Sequence, residues 1–282
     1  EGVGHETVKY AALGSSKGLT EWVGARQYKS LKGYSINISN TLLEDGFPVP
    51  VDAIKRDSLG LFGNRSIDMA NKAQFHWNKM VVDLITANGT GPDGLAFFSS
   101  TRKPDGVTTS SNIVTASEIS ALNVTTAATP TPVEASAVLL GCIGYMQTYL
   151  DESGKVATGG ARSFTVVTRT VDHYAAFLSA ATSNFLTSGQ SNPVAALLAT
   201  GYNVKVVLET GIGGTADFYV LRDDGASDKP FILQSENGIE FQQITDPNDS
   251  FVVNNNEYFF GVKTLRGGGY GRWDYALKAT LS

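Results

Sequence analysis

The sequence predicts an α+β fold in two parts. Three observations carry that prediction: runs of alternating apolar and polar residues near both ends, one long stretch of helical periodicity, and a strand–helix–strand section between them.

Bulk properties narrow the function classes. The chain has 282 residues, of which 42% are hydrophobic and 17% charged. That is ample for a buried core, and it leaves a surface of small polar groups. The net charge of -5 argues against a dedicated nucleic-acid binder, which carries a basic excess. No apolar run approaches the ~18 residues that span a bilayer. Nothing at the start resembles a signal peptide. Glu1 is not Met, which points to removal of an upstream segment. Cys142 is the sole cysteine and sits in the apolar run 137–143, so it reads as a buried, inert thiol. The Asn-x-Ser/Thr sequons at Asn37, Asn64, Asn88, Asn123 and Asn248 read as accidental without a secretory context.

The elements follow in order. Residues 1–32 are polar, with five basic residues against three acidic ones, and read as an extended arm with a sticky spot at Trp22 and Val23. Tyr34, Ile36 and Ile38 alternate with polar residues, as do Phe47, Val49 and Val51. Asp45-Gly46 lies between the two runs and predicts a hairpin turn. Pro48 and Pro50 cannot donate ladder hydrogen bonds, so the second strand should be an edge and the hairpin should project. Residues 64–88 read as a helix capped by Asn64, with Ile67, Ala70, Trp77, Val81 and Leu84 as its apolar stripe and Asn88-Gly89 as its stop. A turn-rich section contains the buried-looking Phe97-Phe98, and residues 108–131 read as a connection.

Thr131-Pro132-Val133-Glu134 is a capping box with Pro at the first helical position, opening a helix to about Leu150. Residues 163–169 predict a strand. Thr170 caps a further helix with Tyr174, Phe177, Leu178, Ala181 and Phe185 on one face. Strands follow at 202–208, 218–221 and 231–233. The end predicts a hairpin of 257–266 with 270–280 around Gly267-Gly268-Gly269.

Motifs of chemistry lack their context. Gly14-Ser15-Ser16-Lys17-Gly18 fits the hydrolase elbow G-x-S-x-G but lies in the polar arm, before any core strand. Gly211, Gly213 and Ala216 fit a dinucleotide fingerprint, yet an extended run at 218–221 follows where a helix is required. The histidines His5, His76 and His173 are scattered, so no metal set forms. Asp223-Asp224-Gly225 reads as a solvated turn. No catalytic, cofactor-binding or metal-ligating residue is assigned.

Several segments, in order, resemble the Mu-like prophage major head subunit family. Glu21-Trp22-Val23-Gly24-Ala25-Arg26 is similar to its Trp-x-Gly-x-Arg segment. Residues 34–40 with Glu44 resemble its hairpin with a conspicuous Asn and Glu. Leu59-Gly60-Leu61-Phe62 precedes the helix, and Gly94-Leu95-Ala96-Phe97-Phe98 resembles an Asp-Gly-x-x-Phe-Phe element. Lys229-Pro230-Phe231-Ile232-Leu233-Gln234 and the ending 261–276 are similar too. One departure is that Ser99-Ser100-Thr101-Arg102 stands where the family often continues with an Asp-Thr-Asp-His-like run.

The resemblance implies the Hong Kong 97-type phage capsid fold. On that expectation residues 1–29 are the N-terminal arm and 30–57 the extended-loop hairpin. Residues 58–110 begin a peripheral domain around a long spine helix, 111–225 form the axial domain, and 226–282 supply closing strands. The implied function is a major capsid protein that assembles into pentamers and hexamers of an icosahedral shell around DNA, within the virion, after synthesis in the bacterial cytoplasm. Partners would be further copies of the chain, scaffold, maturation protease, portal and decoration proteins, and packaged double-stranded DNA bound non-specifically, with no membrane. Candidate inter-subunit contacts are Trp22, Arg26, Tyr34, Ile36, Ile38, Leu43, Phe47 and Val49. The alternatives are an encapsulin-like shell protein of the same fold and, distantly, a serine hydrolase using Ser16.

Overall fold

The computed structural model describes residues 7–13, 33–57, 60–152, 154–157, 160–186, 189–223 and 228–282. The chain divides into two compact units. The first comprises 1–10, 37–81 and 233–269; the second comprises 11–36, 82–232 and 270–282.

Strands β1 (Thr7–Leu13) and β2 (Gly33–Ser39) form a two-stranded sheet. Part of the expected arm is therefore a strand, in which Val8 and Tyr10 are half-buried while Thr7 and Lys9 are exposed. The predicted hairpin of residues 34–40 with 47–51 does not form. β3 (Thr41–Pro50) runs straight through Asp45-Gly46 and pairs antiparallel with β10 (Glu257–Tyr270), Phe47 opposite Phe260. Gly46 serves a neighbour instead of a turn: a Cβ there would lie 2.6 Å from the Phe259 ring.

The edge assignment for β3 holds, since β3 is the terminal strand of its sheet, followed by β10 and β8 (Phe231–Ser235), with β9 (Glu240–Ile244) also on β10. The Val51 N–H donates to Asn256 O at 3.1 Å, which sets the alternation. Odd-numbered residues of β3 face β10, so the nitrogens of Pro48 and Pro50 face outward, where no donor is missed.

A short helix, α1 (Val51–Lys55), leads to α2 (Leu61–Ala87). At ~1.5 Å per residue α2 is about 40 Å long. It starts earlier than the Asn64 cap predicts, because the Asp57 carboxylate accepts from the Leu61 and Phe62 N–H groups. Its inward stripe is also shifted: Met69 and Ile85 are buried, while Ile67 is 61% exposed. Asn88 ends the helix with φ 45°. Phe47, Val49, Met69 and Val262 are the buried centre of the first unit's core. α6 (Ser250–Asn255), capped by Asp249, precedes β10.

The second unit is built on a five-stranded sheet. Its order is β4 (Ile113–Val114), β11 (Ala276–Thr280), β7 (Asp217–Arg222), β5 (Ser163–Thr168) and β6 (Asn203–Leu208). The predicted closing hairpin is therefore wrong. β10 continues through Gly267-Gly268-Gly269, and β11 pairs with β7 and β4 in this other sheet. Gly267 is required by crowding, since a Cβ would lie 2.5 Å from Ser39 O.

The capping box at Thr131 and Glu134 is present and opens α3 (Pro132–Met146), which ends about one turn before Leu150. Thr170 caps α4 (Val171–Thr182), as its side chain predicts. The buried face of α4 is His173, Ala176, Phe177, Ala180 and Ala181, whereas Phe185 lies beyond the helix and is 68% exposed. α5 (Pro193–Ala199) is a further helix, opened by the Asn192 cap with Pro193 at its first position. Three loops share one hydrogen-bond pattern. Gly91, Asp151 and Leu186 each donate N–H to the carbonyl four residues on, and a left-handed glycine (Gly94, Gly154, Gly189) donates back.

Candidate interaction surfaces

The eight candidate contact residues fall into three groups. Trp22 and Arg26 lie outside the described residues, as does the side chain of Tyr34. The Gly14–Gly18 motif with Ser16, and His5, also lie outside them. Ile38, Phe47 and Val49 are 3%, 7% and 1% exposed, so the fold of their own subunit already covers them. Within the subunit they serve as core residues. Ile36 and Leu43 are half-buried and keep surface to offer.

Polar side chains tie β2 and β3 into the first unit. Gln234 Nε2 donates to Ile38 O at 2.9 Å and to Asn40 Oδ1 at 2.7 Å. Asn40 Nδ2 reaches Glu236 Oε2 at 3.3 Å. Thus the conspicuous Asn and the Gln of the Lys-Pro-x-x-x-Gln segment meet in the fold. Their joint role is to hold the passage from β2 into β3. Nearby on β10, the buried Arg266 donates from Nη1 to Ala73 O at 2.7 Å and lies 4.3 Å from the centre of the Trp77 ring. Burial lowers its pKa from the ordinary value.

A groove of about 180 Å³ opens on this unit between α2 and the strands. Met69, Ala73 and Val262 give it an apolar floor, while Glu44, Asp45 and Lys72 stand among its lining. Lys72 bonds Asp68 at 2.7 Å, and that hydrogen bond is the main cause raising its pKa above the usual lysine value. On α2, Phe75 is 69% exposed.

In the second unit, sequence reasoning missed one buried node. Arg102, 3% exposed, donates from Nε to Asp93 at 2.5 Å, from Nη2 to Ala96 O at 2.8 Å, and from Nη1 to Asn112 Oδ1 at 3.1 Å. Its guanidinium also lies 4.6 Å from the Trp273 ring centre. Arg102 thus fastens residues 93–112. Phe97 and Phe98 are fully or nearly buried, as the sequence suggests, and Phe97 stacks on Tyr270 with centroids 5.1 Å apart. Tyr270 accepts from Gly89 N and donates to Leu84 O.

The groups with chemical potential are held in structural roles. Cys142 is buried and its thiol is pushed up to about 12, so it is not a thiolate at neutral pH. His173 is fully buried in the first turn of α4, with Nε2 2.7 Å from Ala127 O. Gly211 and Gly213 precede strand β7, so the dinucleotide geometry is not built. Asp223 pairs with Lys229 at 3.0 Å. Among the described residues no cluster of three or more His, Cys, Asp or Glu could hold a metal. No described helix is long and apolar enough to cross a membrane.

Comparison with known proteins identifies the family. A family profile described as "Mu-like prophage major head subunit gpT" matches residues 4–127 and 184–282. Among solved structures, the chain is similar to the bacteriophage JBD30 capsid, with TM-score 0.56 and 14% identity over 99% of this chain and 61% of that one. It is similar to the capsid of cyanophage P-SCSP1u, with TM-score 0.62 and 10% identity over 99% of this chain and 84% of that one. It is similar to the capsid of Myoviridae phage XM1, with TM-score 0.58 and 14% identity over 98% and 86%. The chain therefore spans just over three-fifths of the JBD30 capsid chain, 61%. No curated protein matches it.

Proposed function

The chain belongs to the Mu-like prophage major head subunit family, and from that membership we propose that it is the major coat subunit of a tailed bacteriophage. It has the Hong Kong 97-type coat fold, and its family makes it a structural protein, not an enzyme. Copies associate into pentamers and hexamers of an icosahedral shell that encloses double-stranded DNA without reading its sequence. Synthesis takes place in the bacterial cytoplasm. Scaffold, maturation protease, portal and decoration proteins are the further partners of this reading.

The observation that carries it is the family match over both ends of the chain, at 4–127 and 184–282. The topology supports one revision. The two strands able to carry an extended loop are β1 and β2, which bracket residues 14–32. We therefore assign the extended loop to the segment that β1 and β2 carry instead of 30–57, since β3 is committed to β10. A shell needs only modest individual contacts, because many act together.

The size of the purified assembly tests the reading, by light scattering checked with negative-stain images. Closed shells, or rings of five or six subunits, are the expected result. Monomers at every concentration, with scaffold supplied, would overturn it.

A further inference from the structure

We propose that the free edge of strand β6 is a docking site for a second copy of the chain, joined by strand addition. The proposal rests on the coat-subunit reading and names one of its contacts.

β6 is the terminal strand of the five-stranded sheet and pairs parallel with β5. Asn203 N donates to Arg162 O and Glu209 N to Thr168 O, so odd-numbered residues of β6 face β5. The N–H and C=O groups of Val204, Val206 and Leu208 therefore point to the open side. Among the described residues no backbone or side-chain group takes them. The side chains of Val204 and Val206 pack on the core of the second unit, so the strand is held in place and its backbone is presented.

Two other edges, those of β3 and β4, are closed in identifiable ways. β3 turns the nitrogens of Pro48 and Pro50 outward. At the far side of the same sheet, β4 is two residues long, and the outward groups of Ile113 are taken by the Ser111 hydroxyl, which accepts from Ile113 N at 3.1 Å and donates to Ile113 O. β6 carries no proline, and its one charged residue is Lys205, whose backbone faces β5. An open β-branched edge of this kind is a template for another chain.

The occupant follows from how little the edge offers. Three N–H and three C=O groups are too few to hold a lasting complex between two unlike proteins. The same contact repeated by every subunit of a ring is reinforced by all the others. A second copy is the partner that supplies that repetition. The sealing of Ile113 by Ser111 excludes simple continuation of β6 onto the β4 edge of the next sheet, so the incoming strand is another segment of the neighbour.

Hydrogen exchange on the full-length wild type tests this without a mutation. Amides of Val204, Val206 and Leu208 should exchange at least ~10-fold more slowly in assembled particles than in dissociated subunits. Equal exchange in both would overturn the proposal, and protection that appears only when another virion protein is added would overturn the choice of occupant. Val206→Pro removes an outward donor and spares the β5 ladder. It should give a folded subunit that forms no particles; normal particles from this variant would sink the proposal. If the wild type itself never assembles, the coat-subunit reading fails, a result distinct from assembly with an unprotected edge.

Discussion

Arg102 shows how much one side chain can do once it is buried with partners. Its donors meet Asp93, Asn112 and the Ala96 carbonyl, each of which loses a hydrogen bond if it goes. Arg102→Leu should cost about 3–5 kcal/mol in denaturant unfolding, because a partly buried carboxylate is left uncompensated. None of this is legible in the sequence, since the partners are set by how the chain returns at 112 and 273. The Thr131–Glu134 box is legible because its partners are three residues apart. Hydrogen bonds from Thr125 and Thr131 hold the Glu134 carboxyl at about 2, below its ordinary 4.5. The folded-state pKa is depressed, so its stabilisation is complete above pH 4.5 and fades as pH falls toward 2. The difference in melting temperature between wild type and Glu134→Ala should shrink over that window, down to the part that does not depend on charge.

At the scale of elements, caps and prolines are largely legible in the sequence, whereas glycine signals and strand pairings are not. The prolines of β3 predict an edge because proline's missing donor is a local fact. Asp45-Gly46 and Gly267-Gly268-Gly269 predict turns because glycine usually marks one. In this fold both runs lie inside strands, where glycine makes room for the Phe259 ring and for Ser39 O. That requirement comes from residues distant in sequence, so no window around the glycine contains it. Gly267→Ala should destabilise the subunit by about 1–3 kcal/mol, since the new Cβ meets backbone that has no rotamer to change. A urea titration monitored by tryptophan fluorescence would measure it.

For the whole molecule, the class was legible and the contacts between copies were not. The order of short segments points to a coat fold, and the topology fits it. Which residues meet a neighbour depends on a second chain that the sequence does not position. Burial already separates two adjacent candidates on β2. Ile36→Asp alters a half-buried position and should leave a folded subunit that fails to form shells. Ile38→Asp places a charge at a site 3% exposed and should unfold the subunit. Circular dichroism with sedimentation distinguishes the two outcomes, and shells from Ile36→Asp would remove Ile36 from the interface.

The pairing of β3 with β10 has a consequence in time. Phe47 cannot find Phe260 until the residues between them have been made and have left the ribosome. The first unit, assembled from segments at 37–81 and 233–269, is therefore among the last parts to fold. A truncated or half-made chain lacks that unit and has no way to present a finished surface to its neighbours. Sequence separation thus acts as a checkpoint: the first unit takes shape only after the segment at 233–269 has been made.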